Sequence, residues 1–162
     1  MVSLEDIIKA QKNISKYIYK TPQIDSIPLS KVNQKVSLKL ESIQITGSFK
    51  LRGAINKLLS LNEEQKKRGV IAVSTGNHGK GVAYAAKKLG IKSKIFMSEL
   101  VPTHRRDAIE SLGADVEIVG TNSDEADHYA RDYAQKNNIE LIHPFDDLEI
   151  IAGQGTIGLE ML

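Results

Sequence analysis

Four short apolar runs punctuate the second half of the chain: Val70 to Val73, Lys94 to Met97, Asp115 to Val119 and Glu140 to His143. Between them lie segments with helical spacing, Gly79 to Leu89, Thr103 to Leu112 and Ser123 to Lys136, the first two closed by Gly90 and Gly113. Short strands alternating with helices of roughly ten to fourteen residues mark βαβ units, whose crossovers are right-handed and whose strands run parallel. The pattern therefore predicts an α/β fold, a parallel sheet flanked by helices.

Upstream the pattern is more varied. Ser3 and Asp6 have the form of a capping box, opening a helix with Leu4, Ile7, Ile8, Gln11 and Ile14 on its spacing. Pro22 pushes Thr21 out of helical backbone, so that helix is expected to end near Tyr17. Ile24 to Ser30 reads as irregular, with Pro28 as a breaker. Lys35 to Glu41 alternates with period two, which puts Val36, Leu38 and Leu40 on the expected buried face of a strand. Gly47 then permits a turn, and Ser48 is suited to cap a helix bearing Leu51, Ile55, Leu58 and Leu59. Asn62 opens a short polar helix ending at Gly69. A last helix begins at Leu148 and is expected to be interrupted or restarted over Gly153 to Gly158.

Composition narrows the chemistry. With 41% hydrophobic and 26% charged residues among 162, the chain can build one sizeable core. A net charge of +2 with no long basic run argues against a nucleic-acid partner. The absence of cysteine excludes disulfides, thiolate catalysis and cysteine-held metals. Met1 to Asp6 carries neither a basic nor an apolar targeting pattern, and no apolar run reaches membrane length. The expectation is a soluble, cytoplasmic protein with no membrane partner.

Two stretches could carry chemistry. Lys50 falls in the first turn of a helix, at the positive end of its dipole, where a cation gains nothing. An isolated lysine there is ordinarily a solvated side chain. The chemical alternative is an amine whose pKa is depressed by burial and the dipole, free to attack an aldehyde. The second stretch, Ser74-Thr75-Gly76-Asn77-His78-Gly79, lies where a parallel strand hands over to a helix, the end at which open α/β sheets bind ligands. Its hydroxyls, amide and backbone N–H groups form a donor-rich cup for a carboxylate or phosphate, although a plain capped turn uses the same residues. Gly76, Gly79 and Gly81 do not have the GxGxxG spacing of a nucleotide loop. His104, His128 and His143 have no ligand spacing to one another or to paired carboxylates, so no metal site is expected.

Ser48-Phe49-Lys50-Leu51-Arg52-Gly53-Ala54 followed by Ser74-Thr75-Gly76-Asn77-His78-Gly79 resembles the fold type II pyridoxal-phosphate enzymes, in particular the threonine/serine dehydratases, with serine racemase as a close relative. The resemblance covers nearly the whole chain. It implies Lys50 as the amine joined to pyridoxal 5'-phosphate, Phe49 packed beside the cofactor and Asn77 bonded to its ring hydroxyl. It implies Ser74, Thr75, Asn77 and His78 around the carboxylate of an amino-acid substrate, with Gln154 of Ala152-Gly153-Gln154-Gly155-Thr156 nearby. The implied reaction is β-elimination from L-threonine or L-serine, giving a 2-oxo acid and ammonia, and the implied assembly is a homo-oligomer of a longer chain. Residues 1–54 then correspond to the N-terminal segment of a large cofactor domain, 55–150 to a small α/β domain and 151–162 to the return into the large domain. The family's phosphate-binding glycine loop and its contact to the pyridine nitrogen come later than Leu162. Departures at Gly79-Lys80, Leu100-Val101 and Arg105-Arg106 leave open racemisation or a related hydroxy-amino acid, such as one in hydroxyectoine breakdown. A non-catalytic α/β module is the alternative of another class.

Overall fold

The computed structural model describes residues 1–162. Helix α1 (Leu4–Ile14) opens with the capping box: Ser3 Oγ accepts from the Asp6 amide, and the Asp6 carboxylate accepts from the Ser3 amide. The chain then forms a hairpin, β1 (Gln23–Asp25) against β2 (Ser37–Lys39), followed by a 3-10 turn at Glu41–Ile43. Helices α2 (Lys50–Ser60) and α3 (Glu63–Arg68) lead into β3 (Val70–Val73). The alternation continues with α4 (Asn77–Leu89), β4 (Ser93–Met97), α5 (Thr103–Glu110), β5 (Asp115–Ile118), α6 (Ser123–Asn137) and β6 (Glu140–Leu141). Helix α7 (Leu148–Met161) closes the order.

The four strands expected from the apolar runs form one parallel sheet in the order β5-β4-β3-β6. Because successive side chains on a strand point to opposite faces, the central strands β3 and β4 feed two cores. Val70, Ala72, Ile95 and Met97 enter the larger one, with Val82, Ala83 and Ala86 of α4 and Leu51, Ile55 and Leu58 of α2. Ile71 and Phe96 enter the smaller one beneath Ala130 of α6. There the Phe96 ring meets Tyr129 and Tyr133 edge-on, with centroids 5.4 and 5.3 Å away.

Three expectations change. Ile24 and Asp25, at the start of the stretch read as irregular, lie in the partner strand of the hairpin. The strand at 37–39 exists, but its expected buried face is not kept: Val36 and Leu40 are half-buried, Leu38 opposes Ile24 on an exposed face, and the Lys39 side chain is only 6% exposed. Lys39 turns inward because Glu160 of α7 receives its ammonium, and a paired charge can be buried where an isolated one cannot. Ile27, Leu29 and Val32 add to the exposed apolar side of the hairpin.

The third change is at α7, which runs unbroken through Gly153, Gly155 and Gly158. Gly153 lies against α2 so closely that a Cβ there would sit 2.6 Å from the Arg52 carbonyl oxygen and 2.7 Å from the Gly53 Cα. Here the glycine sets the spacing of two backbones rather than a break. A Gly153→Ala variant is expected to lose about 1–3 kcal/mol, because backbone must yield to backbone. Gly158 has nothing within 4 Å of its position, so Gly158→Ala should be neutral or gain up to about 1 kcal/mol from helix propensity. Urea midpoints of the two variants test the contrast; equal effects would overturn the packing account.

Candidate active site

The sheet order locates the site. From β3 the chain proceeds to β4 and β5 on one side, then returns to place β6 on the other. The loops after β3 and β6 therefore leave neighbouring strands on either side of a topological switch point, where open α/β sheets form their ligand crevice. Residues 74–76 follow β3, and residues 142–147 follow β6.

Lys50 reaches this crevice from α2. The helix begins one residue later than a simple Ser48 cap gives, with Phe49 already in helical backbone, yet the Ser48 hydroxyl still accepts from the Lys50 amide at 3.3 Å. Gly81 of α4 admits the start of α2. A Cβ at Gly81 would lie 3.2 Å from both the Lys50 carbonyl carbon and the Leu51 nitrogen, so the lysine backbone rests directly on α4. The Lys50 Nζ donates to the Pro144 carbonyl at 2.6 Å. It also lies 5.4 Å from the centroid of the Phe49 ring, which is itself 39% exposed. Partial burial holds the Lys50 amine below the ordinary lysine range.

The second stretch is built on Ser74. Its Oγ accepts from the Gly76 amide at 3.2 Å and from the Gly79 amide at 2.9 Å, holding the turn into α4. The Asn77 and His78 amides, first in α4, have no intrahelical acceptor, as at every helix start. Asn77 is exposed, and Thr75 is half-buried in the turn.

His78 points inward. Its Nε2 lies 2.9 Å from the Ile142 carbonyl, which can only accept, so Nε2 carries the hydrogen and Nδ1 is left buried without a partner. Burial above all, aided by the Lys50 and His143 charges, holds His78 down to about 4 despite that hydrogen bond. The unfolded chain, with an ordinary histidine near 6.5, binds the proton more readily. Stability from neutral His78 is therefore complete above pH 6.5 and is lost as pH falls towards 4, by about 3 kcal/mol in all. Urea midpoints of the wild type and His78→Gln across that range test this: the variant should lack that part of the acid sensitivity.

Gln154 of α7 meets α2 one helical turn beyond Lys50. Its Oε1 accepts from the Gly53 amide at 3.2 Å, while Nε2 is buried without a partner. Lys50, with Phe49 beside it, and His78 thus meet the segment after β6, the residues 74–76 turn follows the neighbouring strand β3, and Gln154 lies at the seam of α2 and α7. Sequence reasoning missed the 143–146 turn. His143, read as unremarkable, accepts through Nδ1 from the Phe145 and Asp146 amides at 3.3 and 2.7 Å. The proline after it was the one available signal of a turn.

A partly buried lysine amine thus lies at the switch point of a parallel α/β sheet. The chain belongs to the family of pyridoxal-phosphate dependent enzymes, PALP, which matches residues 14–162. It is 48% identical over its whole length to the L-threonine dehydratase catabolic TdcB of Staphylococcus aureus (strain USA300) and covers 47% of that protein. The chain thus spans about half the length of the curated relatives it matches. Among solved structures, serine racemase from Dictyostelium discoideum superposes with a TM-score of 0.91 at 38% identity, over 99% of this chain and 52% of that one. The threonine deaminase of T.th. gives 0.89 at 41%, over 98% and 50%. The fold is that of the type II enzymes expected from the sequence. No helix is long and apolar enough to cross a membrane.

Proposed function

We propose that this chain carries the lysine half of a pyridoxal-phosphate-dependent ammonia-lyase acting on L-threonine, with L-serine as a second substrate. The observation that carries the reading is the Lys50 amine, half-buried and lowered in pKa, at the switch-point crevice. Identity to a threonine dehydratase over the entire chain supports the choice of reaction.

The residues fit the cofactor. Lys50 offers an amine for its aldehyde, exposed Asn77 stands at the start of α4 for its ring hydroxyl, and Phe49 presents a ring face beside the lysine. The cofactor, when bound, supplies an electron sink for the pair left at the substrate α-carbon. The chain's residues do the rest. Lys50 Nζ, when not joined to the cofactor, would take the α-proton, its amine held below the ordinary lysine range by partial burial. The free amides of Asn77 and His78, with Ser74 and Thr75, hold the carboxylate at the positive end of α4. His78 stays neutral in this role, keeping a second cation away from Lys50. Gln154 Nε2 is a buried, unpaired donor against the lysine's helix.

In the same reading residues 1–54 and 151–162 belong to a large cofactor domain and 55–150 to a small one. A cytoplasmic, homo-oligomeric enzyme also belongs to this proposal. The test is incubation of the purified protein with pyridoxal phosphate and each amino acid, following 2-oxo acid and ammonia. Release from L-threonine is expected. D-serine formed from L-serine without 2-oxo acid would replace the reading by racemisation, an alternative that the serine racemase superposition fits without outweighing the threonine deaminase ones. No turnover of either kind, together with no cofactor on Lys50, would leave a non-catalytic module.

A further inference from the structure

The segment joining β6 to α7 is pinned at both ends. At one end the Ile142 amide donates to the Ile71 carbonyl, while the Ile142 carbonyl accepts from His78 Nε2. At the other, the Asp147 carboxylate caps α7 through the Glu149 and Ile150 amides and pairs with Lys57 at 2.8 Å. Between these anchors the backbone must turn, and the Phe145 and Asp146 amides both point to one acceptor, His143 Nδ1. The imidazole does what an Asx side chain does at a turn, accepting from amides two and three residues ahead. On its outer side the turn borders an open cleft of about 330 Å³, lined by His143, Pro144 and Phe145 and by the start of α6. Phe145 is 67% exposed and touches the His143 ring edge-on at 4.6 Å. Little besides the imidazole therefore fixes residues 144–146. Yet the Pro144 carbonyl is the acceptor for Lys50 Nζ.

The geometry points to His143 as a positioning residue for Lys50, its Nδ1 holding the turn whose Pro144 carbonyl fixes the lysine amine at the crevice. This rests on the reading of Lys50 as the cofactor-bearing amine. The chemical consequence is that His143 governs the amine through the turn. With the turn closed, the amine is directed to one carbonyl and partly shielded from water. With the turn released, carbonyl and shielding leave together, and water solvates the ammonium. His78 on α4 is the titratable neighbour that feels both Lys50 and His143.

The experiment is competitive labelling of the cofactor-free protein with trace acetic anhydride across pH, quantifying Lys50 by peptide mass spectrometry against the remaining lysines. The midpoint of the Lys50 profile reports the amine's surroundings, whereas a structural defect elsewhere moves only the plateau. In the wild type the midpoint is expected below the ordinary lysine value. His143→Ala, and His143→Leu with bulk retained against Phe145, should move it away from the wild-type value, since loss of shielding raises it and loss of the Pro144 acceptor lowers it. His143→Asn, whose Oδ1 can accept from the same two amides, should return it. An unchanged midpoint in the Ala and Leu variants overturns the proposal, as does an Asn variant shifted as far as Ala. Because no cofactor is present, failure here is distinct from failure of the cofactor reading, which borohydride trapping on Lys50 decides.

Discussion

Replacement of Lys50 by Ala is expected to abolish borohydride-stable attachment of pyridoxal phosphate to the crevice and to remove turnover by at least the 10²–10⁴-fold that a positioned proton-transfer group contributes, about 3–5 kcal/mol in barrier. The expectation follows from the amine's setting rather than from its charge. Burial lowers Lys50, so more of it is unprotonated near neutrality than an exposed lysine provides, and only the unprotonated amine attacks an aldehyde. Attachment to Lys50 should accordingly rise with pH through a range below the ordinary lysine value of 10.5, ahead of adventitious attachment elsewhere. Lys50→Arg separates the two roles. It keeps a cation near the Pro144 carbonyl but offers no nucleophile at neutral pH, so it should fail like Ala. The measurement is reduction followed by peptide mapping, with turnover assayed in parallel. Attachment persisting at Lys80 or spread over many lysines in the Ala variant, with turnover intact, would remove Lys50 from the mechanism.

The parts of this arrangement visible in the sequence are those governed by local rules. Val70 to Val73 and Ile95 to Met97 are apolar on both faces because the sheet is covered on both, and short runs of that kind separated by helical spacing have few alternatives. The Ser3 capping box is readable for the same reason, since it is complete within four residues. What the pattern could not give depended on distant partners. Period two in residues 35–41 fixes that side chains alternate, but Glu160 decides that the Lys39 face is the inner one. The glycines of α7 have the composition of a break and the function of a close approach, and only the position of Arg52 and Gly53 distinguishes these. Lys50 and the 74–79 turn were legible as motifs. The role of His143 was not, because an imidazole accepting two backbone amides leaves no periodic trace. The same holds for the carbonyl that receives Lys50.

The largest loss of stability is expected at Arg52, whose side chain is fully buried two residues after Lys50. Its guanidinium donates to Glu41 through Nε and Nη2 at 2.9 and 2.7 Å, and to Glu160 through Nη1 and Nη2 at 2.7 and 2.9 Å. Nη1 also meets the Thr156 hydroxyl at 3.1 Å. Lys39 completes the cluster on Glu160 at 2.6 Å, so two cations balance two carboxylates and tie the hairpin, α2 and α7 together. Arg52→Met keeps volume but leaves two carboxylates facing one ammonium in a water-poor site. Breaking a buried pair from one side costs about 3–5 kcal/mol, more than the surviving pair recovers. Arg52→Lys should cost less than Met but still destabilise, since a point charge cannot span both carboxylates in the guanidinium's forked geometry. The loss should also depend on pH. Burial works to raise the Glu160 carboxyl, but Arg52 and Lys39 overcome it and hold the group below 4.5 in the wild type. Wild-type stability from Glu160 is thus present above pH 4.5 and declines as pH falls through the lowered folded value. In Arg52→Met burial is less opposed, protonation of Glu160 relieves the excess negative charge, and the gap between variant and wild type narrows on acidification. Urea unfolding at neutral and acidic pH measures both effects. A loss below about 1 kcal/mol, or a gap that does not change with pH, would show that the cluster is solvated enough to be replaced without consequence.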